Sequence, residues 1–374
     1  MKIAIIGAKG LPSLFPIGGG VESHVDNLVH ELVDDGFKVS VYIRQYANPR
    51  QRKTFNKIKL ITLPSWQRKN FDTITHVFLA TLHALTQDYD IIHYHGVGPA
   101  SLAWIPRLFK RRTKVIATFH SQDKFHSKWG FLARLYLSYS EWATVFFPHK
   151  TIAVSHSIKK FCDAYYKQPK KVIYIPNAVK IPAKKINFNL LTELNIKPNK
   201  YFLILARLIP HKAQDVAIKA FAKVKTDMNL VIAGSADFRE VDYLEKLEAL
   251  AKKDSRVKLV GKLSGELLEQ TLAHCYSFIH PSRSEGLSIS ILEAMSHARL
   301  IIMSNIPENL ELIDHSGLAF PIGDVDKLAE LIQFAVDDPS MVTARGERAR
   351  KFIKHGFTWR KVAKKTEALY KEVL

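Results

Sequence analysis

The sequence predicts an α/β protein of two Rossmann-like domains, each a parallel sheet covered by helices, and three observations carry that prediction. Short β-rich runs alternate with helix-period runs along almost the whole chain. The alternation breaks once, in a proline-punctuated polar stretch, and then restarts. At 374 residues and 47% apolar composition, the chain is also larger than one hydrophobic centre comfortably holds.

In the first half, Lys2–Ile6, Lys38–Ile43, Ile91–His95, Lys114–Thr118, Thr151–Val154 and Val172–Ile175 read as buried strands, each too short for a helix and bounded by turn residues. Between the first two, Val21, Val25, Leu28, Val29, Leu32 and Val33 recur at helical spacing, and Gly36 supplies a C-terminal stop. Strand, helix, strand in repetition implies parallel pairing with helices on both faces. Pro176, Pro182 and Pro198 punctuate the polar stretch from Asn177 to Lys200, the linker candidate. The pattern then resumes with strand Tyr201–Ala206, a helix from Ala213 to Val224, strand Leu230–Ala233 and a charged helix near Tyr243–Lys253. Strands near Val257–Val260, Ser277–His280 and Leu300–Met303 follow, then a last helix over about Trp359–Leu374. The expected domains are 1–180 and 181–356, with 357–374 a helix that returns to the first.

Composition excludes several classes. Cys162 and Cys275 give neither a disulfide framework nor metal-ligand spacing. No run approaches the roughly 20 uncharged residues of a membrane span, and the first residues read as a buried strand rather than a signal peptide. A cytoplasmic protein, soluble or peripheral on a membrane, is the expectation. The formal charge of +20 is uneven, with 26 Lys+Arg against 11 Asp+Glu in residues 1–180. Such a field favours polyanions: nucleic acid, an anionic membrane or phosphorylated substrates.

Four motifs carry chemistry. After the first strand, Gly7-Ala8-Lys9-Gly10-Leu11-Pro12 and then Gly18-Gly19-Gly20 lead into a helix, where bare backbone and a positive helix end suit a phosphate. A flexible turn fits the same residues. Second, Arg207 and Lys212 follow the first strand of the second half, and two cations there suit a diphosphate. An ordinary basic loop also would look this way. Third, Glu285-Gly286-Leu287-Ser288 precede a helix that continues to Glu293, putting two carboxylates about two turns apart for sugar and ribose hydroxyls. A dipole-stabilising role for Glu285 is the structural alternative. Fourth, His120 in Thr118-Phe119-His120 ends a strand, either facing a sugar or simply buried.

Jointly these motifs resemble glycosyltransferase family 4, of the two-domain GT-B fold, over nearly the whole chain. The likeness includes Gly18–Gly20, Tyr89–Gly96, the Thr-Phe-His turn, Ile152–Ser155, Ala206–Lys212 and the E-x₇-E of Glu285 and Glu293. The resemblance implies a retaining transferase whose nucleotide-diphosphate sugar lies on the second domain and whose acceptor docks on the first, the site falling between them. By position, Arg207 and Lys212 bind the diphosphate, Glu293 the ribose and Glu285 the transferred sugar. The amides of Gly286, Leu287 and Ser288 add donors, His120 faces the sugar, and Gly19 and Gly20 close over the phosphates.

No cofactor and no metal are implied; Asp88-Tyr89-Asp90 spells D-x-D but precedes a strand, at the wrong end for the site. Ala206 and Ala213 stand where the family usually has glycine, a departure that bears on donor geometry. Aromatic and basic residues mix at Phe125–Tyr136 and again at Trp66, Arg68, Lys69 and Phe71, which suits an anionic membrane and a lipid-linked acceptor. A glycan is the other acceptor, in surface polysaccharide or glycolipid synthesis. The alternatives are a nucleotide-sugar epimerase or phosphorylase of the same fold, a binding protein without catalysis, and a basic nucleic-acid-binding protein. The last lacks a recognition module, so no nucleic acid partner is expected.

Overall fold

The computed structural model describes residues 1–15, 19–68, 71–122, 131–182, 186–236, 241–313 and 317–374. Gly18, Lys69 and the stretch 123–130 of the sequence motifs lie outside the described residues, as do the side chains of Leu132 and Ala133. The chain divides into two units: Met1–Ala178 with Trp359–Leu374, and Val179–Thr358.

The first unit holds strands β1 Lys2–Ile6, β2 Lys38–Arg44, β3 Thr54–Phe55, β4 Ile58–Leu63, β5 Ile91–His95, β6 Lys114–Phe119, β7 Lys150–Ala153 and β8 Val172–Tyr174. Their order in the sheet is β3-β4-β2-β1-β5-β6-β7-β8. Alternation along β1 shows why both faces are covered: Ile3 and Ile5 join one apolar cluster, Ala4 and Ile6 the other. On the first face lie α1 (Gly20–Asp34), through Val25, Leu28, Val29 and Leu32, and the C-terminal helix, through Trp359, Val362 and Tyr370. On the second lies α2 (Phe71–Leu85), through Val77, Ala80 and Ala84. Helices α3 (Trp104–Phe109) and α4 (Phe131–Phe146) continue that layer. Helix α1 ends as its glycine requires: Gly36 takes φ +85°, and the Gly36 and Phe37 amides donate to Val33 and Leu32 carbonyls at 3.0 and 3.1 Å.

The sheet is not wholly parallel. β3 and β4 form an antiparallel hairpin that the sequence pattern did not disclose. Asn56 and Lys57 turn it, both in the left-handed region that tight hairpins demand.

The second unit holds β9 Tyr201–Leu205, β10 Asn229–Ala233, β11 Val257–Gly261, β12 Ser277–His280, β13 Leu300–Ser304 and β14 Gly317–Phe320. Their order is β11-β10-β9-β12-β13-β14, and every pairing is parallel. Two helices matter below, α5 (Gln214–Phe221) and α6 (Ile289–Ser296). The C-terminal helix is α7 (Trp359–Val373). Helix α5 starts one residue later than the apolar period suggests, because Ala213 sits at φ 53°, outside helical space. No helix among the described residues is long and apolar enough to cross a membrane.

Candidate active site

Open parallel sheets bind ligands beyond the carboxyl ends of their strands, where the strand order reverses. In the second unit the reversal falls between β9 and β12. The chain leaves β9 toward β10 and β11, then crosses back to β12 and runs the other way. Residues 206–213 follow β9 and residues 281–288 follow β12, so the two loops singled out by sequence meet at this point. Backbone joins them: the Arg283 amide donates to the His211 carbonyl at 2.8 Å. Gly234 permits the approach behind them, since a Cβ there would stand 1.9 Å from the Ala206 carbonyl oxygen.

Glu285 anchors the arrangement. Its Oε1 accepts a short hydrogen bond from Lys212 Nζ and another from His280 Nε2 at 2.8 Å. Burial pushes this carboxyl up, but the electrostatic pull and hydrogen bonds of Lys212 and His280 outweigh it and hold Glu285 well below the usual range. Glu285 is therefore ionised and an acceptor only. Both bonds fall on Oε1, which leaves Oε2 to receive a hydroxyl. The geometry corrects one expectation: Glu285 lies in the loop, four residues before α6 begins at Ile289, so the two glutamates are not stacked along one helix.

Glu293, on α6, behaves oppositely. Burial alone pushes it up to about 7, and no described residue bonds its side chain. Arg207 is exposed and its guanidinium is equally without a protein partner among the described residues; only its carbonyl is engaged, accepting from Gln214 Nε2 at 2.8 Å. Gly286, Leu287 and Ser288 are buried, with Ser288 the N-cap of α6. Ala213 takes the left-handed conformation at the end of the Arg207–Lys212 loop, which accounts physically for a glycine preference there.

In the first unit, the order reverses between β1 and β5. Gly7 follows β1 at φ +127°, and a Cβ on it would lie 2.3 Å from the His95 carbonyl oxygen. Around this point the fold gathers histidines from three elements: His24 of α1, His93 and His95 of β5, and His120 just after β6. All four are buried. His95 Nδ1 and His120 Nε2 share a hydrogen bond of 3.2 Å, while His24 Nδ1 bonds Asn177 Oδ1 at 2.9 Å. His93 is spanned by Tyr370 and Thr118 hydroxyls at 2.6 and 2.7 Å. Desolvation drives His24 down to about 4 and His93 to about 3, and with their mutual repulsion it lowers His95 and His120 well below the usual range. These rings are neutral at pH 7.

His24, His95 and His120 each offer a ring nitrogen, and the three atoms lie within 4.8 Å of one another. Sequence reasoning found His120, quoted His95 only within a segment, and missed His24 and His280. The glycine loop differs from its expected form. The Gly19 amide is occupied, donating to Glu22 Oε2 at 2.8 Å, and Glu22 Oε1 takes the Lys9 amide at 3.2 Å. A carboxylate thus sits where bare amides toward a phosphate were expected, while Gly20 opens α1. Asp88 and Asp90 both engage Lys2, at the amino ends of β1 and β5, through its ammonium and its amide.

Two α/β units on largely parallel sheets, with a charged cluster at the topological switch point of the second, set the fold class, and comparison with known proteins identifies it. The crystal structure of Anabaena HepE in complex with UDP and glucose matches with a TM-score of 0.81 at 19% identity, covering 100% of both chains. The fold is GT-B. An uncharacterized glycosyltransferase of Methanocaldococcus jannaschii is 24% identical over 97% of each chain. A human phosphatidylinositol N-acetylglucosaminyltransferase chain is 25% identical over 96% of this chain and 74% of its own. The family model for Glycosyltransferase Family 4 matches residues 18–181, and that for glycosyl transferases group 1 matches residues 189–352. The chain belongs to glycosyltransferase family 4.

Proposed function

We propose that this glycosyltransferase is a retaining hexosyltransferase that moves a sugar from a nucleotide-diphosphate donor to a glycan or lipid-linked acceptor of a surface polysaccharide or glycolipid. The observation that carries the assignment is the Lys212–Glu285–His280 cluster at the switch point of the second unit, with Arg207 on the same loop as Lys212 and its guanidinium without a protein partner among the described residues. The UDP and glucose bound by HepE, and the phosphatidylinositol acceptor named for the human relative, support a nucleotide donor and a lipid-linked acceptor.

Arg207 and Lys212 are assigned to the diphosphate. Negative charge grows on the leaving phosphate oxygen as the glycosidic bond breaks, and fixed cations stabilise that state more than the ground state. Glu285 accepts from a hydroxyl of the transferred sugar, and Glu293 from the ribose. The amides of Gly286, Leu287 and Ser288 are further donors to the donor molecule. His120, a neutral imidazole, is the first unit's group for the sugar, and Gly19 and Gly20 cover the phosphates once the Gly19–Glu22 bond is exchanged. No carboxylate is assigned as nucleophile. The acceptor hydroxyl attacks the anomeric carbon from the face the diphosphate leaves, that bond breaks with its electrons on the phosphate oxygen, and that oxygen takes the hydroxyl proton. Charge neutralisation is assigned to side chains, with no metal or cofactor.

The test is a panel of nucleotide sugars, with binding and slow donor hydrolysis followed by NMR for the native protein and Glu285→Ala. One donor should bind selectively, and turnover in the variant should fall about 100-fold or more. Absence of binding to every donor overturns the assignment. An inverted product linkage overturns the retaining mechanism.

A further inference from the structure

The helical layer formed by α2, α3 and α4 on the first unit has an outer face unlike any other among the described residues. Among the described residues, twelve of the 21 exposed large apolar side chains fall on these three helices, which hold 37 of the 374 residues. They are not scattered. On α4, Phe131, Leu135, Tyr139, Trp142 and Phe146 follow one another at three or four residues, the spacing of a single helix face. Phe131 is 81% exposed. On α2, Phe71, Ile74, Phe78 and Leu82 do the same, and Leu108 and Phe109 close α3, the latter 72% exposed. Single exposed apolar residues need no explanation, but contiguous stripes do.

Cations border the stripes. Between α3 and the end of α4 lies a groove of about 680 Å³ whose walls are aromatic, from Trp104, Tyr139 and Phe146, and whose charges are Arg107, Arg111 and Lys171. Arg112 and Arg134 are exposed nearby in sequence. Residues 91–150 carry nine Lys or Arg against two Asp or Glu, and of those two acids Glu141 is buried. Lys171 precedes β8 and Arg107 precedes β6, so the groove sits at the amino ends of the strands. The histidines and Gly7 occupy the opposite, carboxyl ends.

We propose that this layer is the face on which the protein rests against an anionic phospholipid bilayer, with the groove cations meeting lipid phosphates and the stripes entering the headgroup boundary. Apolar area and fixed positive charge on one amphipathic surface are what such an interface uses. Other occupants satisfy one half of the surface only. A nucleic acid would meet the cations and leave the stripes in water. A second copy joined by a two-fold axis would bury the stripes but set each rim of cations against its own like. Because α4 runs antiparallel to the strands, its stripe extends from the groove toward the carboxyl ends, so a lipid-linked acceptor in the same bilayer lies within reach of the histidine end.

Vesicle flotation of the whole chain tests this without substrate, so its outcome is independent of the donor assignment. The native protein should bind vesicles of phosphatidylcholine with phosphatidylglycerol, ignore phosphatidylcholine alone, and bind less at physiological than at low salt. Leu135→Glu with Trp142→Glu, and separately Arg111→Glu with Arg112→Glu, should each weaken binding about tenfold or more while keeping the native melting temperature. Failure of the native protein to bind anionic vesicles at low salt overturns the proposal, as does unchanged binding by both folded variants. Sedimentation as a dimer that the apolar variant dissociates, without vesicle binding, assigns the face to a second copy. A nucleic-acid shift lost only in the cation variant assigns it to nucleic acid.

Discussion

Glu285 and Glu293 are eight residues apart in sequence yet titrate in opposite directions, and the difference lies in their neighbours. Lys212 and His280, both bonded to Oε1, keep Glu285 ionised, whereas Glu293 has burial alone. A ribose diol donates to a carboxylate, so nucleotide binding on this assignment favours ionised Glu293. Below its value of about 7 the carboxyl must first lose a proton, so affinity for the nucleoside diphosphate rises as pH climbs toward 7 and levels off above it. The slope approaches tenfold per pH unit well below 7. Calorimetric titration of UDP from pH 5.5 to 8 measures it, and Glu293→Gln should keep only the slope from the nucleotide's own phosphate titration. Equal slopes in both proteins would remove Glu293 from the ribose. Glu285→Gln belongs to a different class: it leaves Lys212 facing a neutral amide in a partly buried site, which costs folding as well as turnover.

At the scale of elements, both candidate regions are built on close backbone approaches at strand ends. Gly7 and Gly20 belong to the same glycine-rich segment and separate the structural from the functional use of glycine. A methyl on Gly7 collides with the His95 carbonyl, and β1 and β5 are paired strands that resist moving apart. Gly7→Ala should therefore destabilise by about 2–4 kcal/mol. A methyl on Gly20 meets nothing within 4 Å at the start of α1, so Gly20→Ala should hold or slightly raise stability, by about 0.5 kcal/mol. Thermal melts followed by circular dichroism compare them, and an equal loss in both would refute the close-approach account of Gly7. This local character is also why much was legible in sequence. Buried strands such as Ile91–His95 and Ser277–His280 announce themselves as short apolar runs, and Arg207, Lys212 and Glu285 stand out as charges directly after such runs. What escaped depends on distant chain. β3 is two residues long and exists through its pairing with the lysine-interrupted β4. β14 is a four-residue edge strand opening on a glycine. His24 occupies an apolar position of α1 and reads as core; its partner Asn177 is 153 residues away. His280 passes as the last residue of a strand until the fold brings Glu285 back to it.

For the whole molecule, the two units should respond differently to acid. Folded histidines with depressed values bind fewer protons than the same groups in the unfolded chain, so their stabilisation is complete above about 6.5 and fades as pH falls toward their folded values. Each such group withdraws up to about 1.4 kcal/mol per pH unit across that window. The first unit holds six of them among the described residues: His24, His76, His93, His95, His120 and His149. Among its described residues the second unit holds one, His297. Its Glu293 acts with the opposite sign: raised to about 7, it makes the unit more stable as pH falls from 7 toward the unfolded value near 4.5. The two nearly cancel, and Glu285, held low, surrenders its contribution only in stronger acid. Between pH 6.5 and 4.5 the loss is thus concentrated in the first unit. The sequence supplies its own reporter, because all five tryptophans, at 66, 104, 129, 142 and 359, belong to that unit. Urea unfolding at pH 5 should show the tryptophan fluorescence transition moving to lower denaturant than at pH 7.5, while far-ultraviolet circular dichroism, which sees both units, divides into two steps with the later one nearly unmoved. Fluorescence and dichroism shifting together by the same amount would mean that the units unfold as one body, and that the buried histidines destabilise the molecule rather than its first half.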